Sequence, residues 1–397
     1  MELYIHIPFC VKKCAYCDFL SFGSDQDDRR RYALALIQEL KYWGQQLDHP
    51  QVETVFIGGG TPSWMEPQYL AEIIATAREE FHILPDCEFT MEMNPGTVTQ
   101  ESLGIYLRSG VNRLSIGLQS SIDSELQTLG RIHDYNQFLR SYEKVMDAGF
   151  TNINIDIMTG IPGQNLKSLE KTLRNVTGLH PKHISAYDLM IEEGTPFYEK
   201  YCFDEVKRHA GMPTEFLPDE ETQYQMTRLT EEFLESKGYH QYEISNFAKD
   251  GYQCRHNIGY WTRKEYLGVG LGAASLVREN RWNNIRDMES YIASCQDPFA
   301  VKKGEESTGL PGFMTDLQEL SRKDAMEEFM FLGLRLLAGV SARDFERAFG
   351  TTIYGVYGDV LRKHESEGLL IMKSGQIYLT ERGRDVSNEV LCDYLLS

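Results

Sequence analysis

Three cysteines, Cys10, Cys14 and Cys17, stand in the segment LYIHIPFCVKKCAYCDF with the spacing C-x₃-C-x₂-C. Three thiolates this close can grip three irons of a cubane [4Fe–4S] cluster, which ordinarily takes four thiolates. The remaining iron would be open to a small molecule, and an open position separates a reactive metal site from a structural one. Two other readings stay open on the residues alone. Cys14-Ala15-Tyr16-Cys17 is a redox C-x₂-C in form, a pattern that Cys10 fits less well. A structural zinc site would want a fourth Cys or His at a familiar spacing. His6 is a poor fourth ligand, because it belongs to the alternating strand Leu3-Tyr4-Ile5-His6-Ile7. Asp18 follows Cys17, so the C-x₂-C-H haem attachment pattern is absent.

Further chemistry-bearing residues stand where predicted strands end. Gly58-Gly59-Gly60-Thr61-Pro62 follows an apolar strand. Glycines there permit close backbone approach to a ligand, although a tight turn uses them equally well. A dinucleotide fingerprint does not fit, since its glycine spacing is missing and Pro62 interrupts it. Glu92, in MEMNPG, is a carboxylate among apolar neighbours and needs a partner. Asp156, in INIDIM, has the same need. Gln119 ends LSIGLQ and Arg131 lies in LGRIHD, where His133-Asp134 reads as a helix start. A second dense segment is Cys254-Arg255-His256-Asn257-Ile258-Gly259-Tyr260-Trp261. Its His, Tyr and Trp could ligate and stack on a flat aromatic cofactor; a loop around a core Trp is the plainer alternative.

These residues need a scaffold, and strands alternate with amphipathic helices for about 190 residues, as in VETVFIG, PQYLAEIIATAREEF, CEFTMEM and ESLGIYLRSG. Such alternation predicts an α/β fold with a parallel sheet and outer helices. About six βα units are present, too few for a closed eight-stranded barrel, so a partial (β/α)₆ barrel is expected, with its site at the C-terminal strand ends. The expected divisions are residues 1–200 for the barrel, 201–296 for an extension carrying the His256 segment, 297–320 for a linker and 321–397 for a C-terminal domain. Within the extension, residues 197–218 read as an irregular lid or linker. The C-terminal domain, mainly helical and ending in the hairpin GLLIMKSGQIYLTERG, is winged-helix-like.

The chain has 397 residues, 42% hydrophobic, with a mean hydropathy of -0.40, as ordinary globular proteins do. No apolar run reaches the length of a membrane span, and the first residues lack a signal-peptide pattern. A net charge of -19 argues against a nucleic-acid partner, which would need basic surface. The same acidity favours a packing or partner role for the winged-helix-like domain. The other five cysteines are scattered, as reduced thiols of a cytoplasmic protein would be. Peripheral contact at a membrane and a homodimer are both compatible with this composition.

The motifs YIHIPFC-x₃-C-x₂-CDF, GGGTP, EMNPG, SIGLQS, LGRIHD, NIDIMTGIPGQ and HNIGYW together resemble the radical S-adenosylmethionine (SAM) superfamily. Over essentially the whole chain they look like its oxygen-independent coproporphyrinogen III oxidase group. The resemblance implies a [4Fe–4S] cluster on Cys10, Cys14 and Cys17 whose open iron chelates SAM. It implies Tyr4 and Tyr16 flanking the cofactor, Gly59, Gly60 and Thr61 at its methionine part, and Glu92, Gln119, Arg131 and Asp156 lining the rest. A reductant would then drive SAM cleavage to a radical, chemistry that belongs to the cofactor. In the oxidases the motif continues to a fourth cysteine, and here Phe19 stands in its place. The HN-x₂-YW stretch marks related heme chaperones. Both features imply a protein that binds heme and passes it to apo-haemoproteins such as respiratory enzymes, with His256 as heme ligand and Cys254 as its alternative. Oxidative decarboxylation of coproporphyrinogen III propionates is the competing expectation.

Overall fold

Short runs rich in Val, Ile and Leu form the strands, and helices with one apolar face cover them. The computed structural model describes residues 1–299 and 309–396. It opens with β1 (Glu2–Ile7), followed by the cysteine loop, α1 (Gln26–Gln46), β2 (Gln51–Gly59), α2 (Pro67–Glu80), β3 (His82–Met93) and α3 (Gln100–Ser109). The alternation continues through β4 (Arg113–Gln119), α4 (Asp123–Thr128), α5 (Tyr135–Asp147), β5 (Asn152–Thr159), α6 (Leu166–Gly178) and β6 (His183–Asp188). Local signals set the helix ends. Thr99 and Ser102 form a capping box on α3, and Gly110 closes that helix at φ 100°. Asp134 caps α5, the helix start that His133-Asp134 signals.

Strands β1 to β6 pair in sequence order and in parallel. Their side chains alternate with a period of two. Leu3, Ile5, Val55, Ile57, Leu114, Ile116, Ile155 and Ile157 join the core with helix residues such as Leu36 and Ile73. The alternate positions, among them Tyr4, Glu92, Arg113, Ser115, Asn154 and Asp156, turn polar groups into the concave side of the sheet. This is the expected partial (β/α)₆ barrel.

Both edges are extended. After α7 (Pro196–His209) and α8 (Glu220–Ser236), β7 (His240–Gln241) and β8 (Asn246–Ala248) add antiparallel to β6. After α9 (Arg255–Trp261), β9 (Tyr266–Val269) adds parallel to β1, and β10 (Ala274–Val277) and β11 (Asn280–Asn284) follow it. α10 (Met288–Gln296) packs on α1, and β12 (Met314–Glu319) completes the edge against β11.

Three expectations are corrected here. Residues 196–209 are helical, because Phe197, Tyr201 and Asp204 recur on one buried face. The HN-x₂-YW segment is the helix α9, not a loop. Part of the expected linker 297–320 is the strand β12; residues 300–308 of that linker lie outside the described ones. The strand was obscured because MTDLQE is mostly exposed at a sheet edge.

The last module runs α11 (Arg322–Gly333), β13 (Val340–Ser341), α12 (Ala342–Phe349), α13 (Ile353–Ser366), β14 (Leu370–Lys373) and β15 (Gln376–Leu379). Its three strands form a separate sheet, and Phe345, Tyr357, Leu361 and Ile377 belong to a core of its own. Ser374 and Gly375 turn the hairpin with positive φ, 54° and 81°. Among the described residues no helix is long and apolar enough to cross a membrane.

Candidate cofactor site

The cysteine loop is closed at its base by Cys10 N–H donating to Phe22 O and Phe22 N–H donating to Pro8 O. Cys10 is buried, and Cys14 and Cys17 are half-buried. Burial pushes the Cys10 thiol up, against hydrogen bonds from Thr61 and Ser21. Burial also raises Cys17, which lies within electrostatic reach of Cys14 and Cys10. The loop offers three thiols, the donors an iron–sulfur cluster takes. In the conformation described, the three thiols are not drawn together as a finished metal site.

The glycine run explains how a backbone can approach this loop. A Cβ on Gly60 would stand 2.8 Å from Phe9 O and 3.0 Å from Cys10 Sγ. One on Gly58 would meet Glu92 Oε2 at 3.0 Å, and one on Gly59 would meet the His6 ring at 2.5 Å. Gly59 also has φ 117°, a conformation glycine adopts without steric penalty. Its N–H donates to Glu92 Oε2 at 3.1 Å. The run therefore serves close packing between the cysteine loop and the strand ends.

Arg131 occupies the centre of this junction. Its Nη2 donates to Asn94 Oδ1 at 2.7 Å and to Gly117 O at 2.6 Å, while Nη1 points at Cys14 Sγ, 3.6 Å away. The same Asn94 amide donates to Thr61 Oγ1 at 2.7 Å, and that hydroxyl lies 3.5 Å from Cys10 Sγ. Gly117 must be glycine here, since its Cβ would sit 2.9 Å from Asn94 Oδ1 and 3.2 Å from Arg131 Nη2. Gln119 follows with φ 72°, a strained backbone for a non-glycine residue of the kind that gathers at functional sites. Tyr16, from the loop, approaches Arg131 on the other side, and burial raises its phenol.

Below the rim the concave side is polar. Burial, and then the Asp156 carboxylate, push the Glu92 carboxyl up to about 8. Asp156 accepts from Ser115 Oγ at 3.0 Å and from Asn154 Nδ2 at 2.7 Å, yet burial still raises it. His183 Nδ1 donates to Asn154 Oδ1 at 2.6 Å, and its Nε2 accepts from the Tyr242 hydroxyl at 2.8 Å. Tyr4 donates to His6 Nδ1 at 3.0 Å, while His6 Nε2 donates to Leu20 O at 3.0 Å, linking this interior to the cysteine loop.

The structure brings together Cys10, Cys14, Cys17, Tyr16, Gly59, Gly60, Thr61, Glu92, Gln119 and Arg131 around the C-terminal ends of β1 to β5, while Tyr4 and Asp156 lie deeper, at mid-strand, and Tyr4 stacks on Phe56. His256 is elsewhere. Its Nδ1 pairs with Thr54 Oγ1 at 2.8 Å and its Nε2 with the Tyr260 hydroxyl at 3.1 Å. Thr54 belongs to the first half of β2, so α9 plugs the opposite end of the barrel. The imidazole is 1% exposed and stacks on Phe56, and burial lowers it to about 3. Cys254 is fully buried beside Glu88 Oε1 at 3.4 Å. Both side chains are thus buried and hydrogen-bonded in this structure, apart from the rim that holds the cysteine loop.

Two buried or half-buried polar residues, one at each end of the barrel, carried no expectation from the sequence. Asn94 stood in the quoted EMNPG segment, a polar residue before proline at a strand end. Arg113 opens β4 at the opposite end from Gln119, is buried, and among the described residues has Thr90 Oγ1, at 3.5 Å, as its hydrogen-bond partner. A buried guanidinium in a strand needs partners as a buried carboxylate such as Asp156 does.

A parallel six-stranded partial barrel with a three-cysteine loop at its strand ends defines a radical SAM protein. Residues 4–176 match the model of the Radical SAM superfamily, and residues 320–386 match the HemN C-terminal domain. The chain is 35% identical to the heme chaperone HemW of Bacillus subtilis, covering 99% of this chain and 98% of that one. It is 32% identical to the heme chaperone HemW of Escherichia coli, over 96% and 92% of the two chains. The crystal structure of coproporphyrinogen III oxidase (HemN) from Escherichia coli superposes with a TM-score of 0.81 at 21% identity, covering 99% of this chain and 89% of that one, a likeness of fold. The chain belongs to the HemW family within the radical SAM superfamily.

Proposed function

We propose that this protein is a cytoplasmic heme chaperone that carries a SAM-associated [4Fe–4S] cluster and delivers heme to apo-haemoproteins. The observation that carries the reading is the likeness to heme chaperones along the full chain, both modules included. Phe19 supports it: where the oxidases extend the motif to a fourth cysteine, this loop offers a phenyl ring that is 70% exposed.

Cys10, Cys14 and Cys17 would hold the cluster, and the junction around Arg131 and Asn94 would orient two of their sulfurs. The interior suits a cationic ligand. Among the described residues Glu92 accepts a hydrogen bond from the Gly59 N–H alone, and Asp156 lies near enough to raise it. Two neighbouring buried carboxylates favour a ligand that brings positive charge. SAM supplies an ammonium and a sulfonium. Gly59, Gly60 and Thr61 would meet its methionine part, Glu92 would accept from its amino group, and Tyr4, Tyr16, Gln119, Arg131 and Asp156 would line the rest. Bound there, cluster and SAM supply one-electron radical chemistry, which needs an external reductant.

The test pairs two assays on anaerobically reconstituted protein. Hemin titration should give a stoichiometric Soret shift, and incubation with coproporphyrinogen III, SAM and dithionite should give no protoporphyrinogen. A missing Soret shift, or protoporphyrinogen formed over repeated turnovers, would overturn the proposal. Loss of bound iron and sulfide in the triple Cys→Ala variant is expected, and its retention would remove the cluster assignment.

A further inference from the structure

A series of hydrogen bonds crosses the barrel interior from its base to the cofactor pocket. Register sets Ser115, Asn154 and His183 side by side on β4, β5 and β6, with Asp156 and Ser185 one step nearer the rim. Asn154 is buried and uses all four of its hydrogen-bonding positions. Its Nδ2 donates to Asp156 Oδ1 and to Ser115 Oγ, both at 2.7 Å. Its Oδ1 accepts from His183 Nδ1 at 2.6 Å and from Ser185 Oγ at 3.2 Å. Tyr242, in the turn between β7 and β8, meets His183 Nε2 at 2.8 Å and accepts from the Cys254 N–H at 3.2 Å. Cys254 caps the start of α9 at the base of the barrel.

The Cys254 N–H fixes which way these bonds run, because a backbone amide nitrogen only donates. With that hydrogen on its oxygen, the Tyr242 hydroxyl finds its own acceptor in His183 Nε2. His183 is fully buried, and burial, then Arg113, hold its imidazole well below the ordinary histidine range, so the ring is neutral with a single N–H. That hydrogen sits on Nδ1 and goes to Asn154 Oδ1. The Asn154 amide is thereby turned with its NH2 group toward Asp156. A reversed amide would set its carbonyl oxygen against the carboxylate, acceptor against acceptor. Asp156 is only half-buried, whereas Ser115, Asn154, His183 and Ser185 behind it are buried. A ligand in the pocket therefore meets Asp156 and not the groups that aim it. Donors on a carboxylate favour its charged form, the form that suits a cationic ligand.

We propose that His183 is a positioning residue of the cofactor pocket: held with its hydrogen on Nδ1 by Tyr242, it turns the Asn154 amide so that Asp156 stands fixed as a hydrogen-bond acceptor for SAM. The inference rests on the reading that SAM binds beside Glu92 and Asp156, and adds a residue that touches no cofactor atom. It also makes Tyr242 and the start of α9, both at the base of the barrel, part of the support of the pocket.

Equilibrium dialysis of radiolabelled SAM against the anaerobically reconstituted full chain tests it. His183→Leu should weaken binding by about tenfold, the lower figure for loss of a group that orients a ligand-binding residue. His183→Asn keeps an N–H near the Nδ1 position and should recover most of that loss. His183→Gln, with its amide near the Nε2 position, should not. In an Asp156→Ala background the His183→Leu change should cost little more, because residues that act through one another are not additive. Unchanged far-ultraviolet circular dichroism should show that the variants fold. Tyr242→Phe, one oxygen smaller, should weaken binding in the same direction and carries the test if His183→Leu does not fold. Wild-type SAM affinity in folded His183→Leu or Tyr242→Phe would overturn the positioning role while leaving the cofactor reading intact. So would His183→Asn binding no tighter than His183→Leu, or an undiminished further loss in the Asp156→Ala background. Absence of SAM binding by the wild type would overturn both.

Discussion

Arg131 donates to Asn94 Oδ1 at 2.7 Å, and this one bond couples the groups that touch two of the three loop cysteines. Arg131 reaches Cys14 Sγ directly, whereas Asn94 reaches Cys10 through the Thr61 hydroxyl. A single amide on the end of β3 thus sets the polar surroundings of sulfurs four residues apart in the loop.

Asn94→Ala should therefore loosen cluster binding without unfolding the barrel. Loss of a group that orients metal ligands typically weakens a site on the order of 10-fold to 100-fold. Iron release to a chelator, measured against the wild type, should accelerate by about the lower figure of that range. Equal release rates would show that Arg131 and Thr61 hold their positions unaided.

Gly60→Ala should disturb the same junction sterically. The new Cβ would stand 2.8 Å from the Phe9 carbonyl, a backbone atom with little room to retreat. Overpacking of this kind costs about 1–3 kcal/mol. Denaturant unfolding should show a loss of that size, and reconstituted iron content should fall. Unchanged iron content would mean that the loop can slide away from β2.

The stability of the cluster-free protein should fall as pH rises from about 7 to 8, above the range in which the buried histidines His6, His133, His183 and His256, lowered by burial, act in the opposite direction. Burial raises Glu2 from 4.5 to about 8, Glu39 to about 7 and Glu92 to about 8. In the unfolded chain these carboxyls ionise at ordinary carboxylate values, so across this window the folded state binds more protons. Unfolding free energy then declines with pH and levels once the folded groups have ionised. Glu2 is the sharpest case, because neither carboxylate oxygen has a hydrogen-bond partner among the described residues. Glu2→Gln should flatten the melting temperature against pH relative to the wild type. Parallel curves would rule Glu2 out as a source of the slope.

The regular alternation of β and α was legible because each element carries its own local signal. Gly110 stops α3, Asp134 starts α5, and Gly, Asn or Pro follows several strands. The rim residues were legible for a related reason. Glu92 and Asp156 are charges in apolar strands, and the period of two sends both to the concave side. Direction along the barrel was not legible. His256 and Cys254 carry metal-binding side chains, but only the tertiary fold shows that α9 enters at the N-terminal strand ends. Helix α7 was hidden because Phe203 and Val206 face outward and blur its apolar period. β12 was hidden by the exposed position of its polar side chains.

The C-terminal module should depend on Glu328. Its carboxylate accepts from Arg263 Nε at 2.8 Å and from Arg281 Nη1 at 2.6 Å, joining α11 to the edge of the large sheet. Removing one partner of a buried ion pair costs about 3–5 kcal/mol. Arg263 keeps Glu279, so Glu328→Ala should lose about 3 kcal/mol, the lower figure of that range, in urea unfolding. A change within error would mean that the arginines find solvent instead.

Heme transfer tests the account most directly. Heme-loaded protein would be mixed with an equimolar apo-haemoprotein, such as an apo-b-type cytochrome, and the two separated by size after incubation. The account predicts that heme leaves this chain and appears on the acceptor, with the acceptor's own absorption spectrum. Heme that stays with this chain, while free hemin fills the same acceptor, would contradict it.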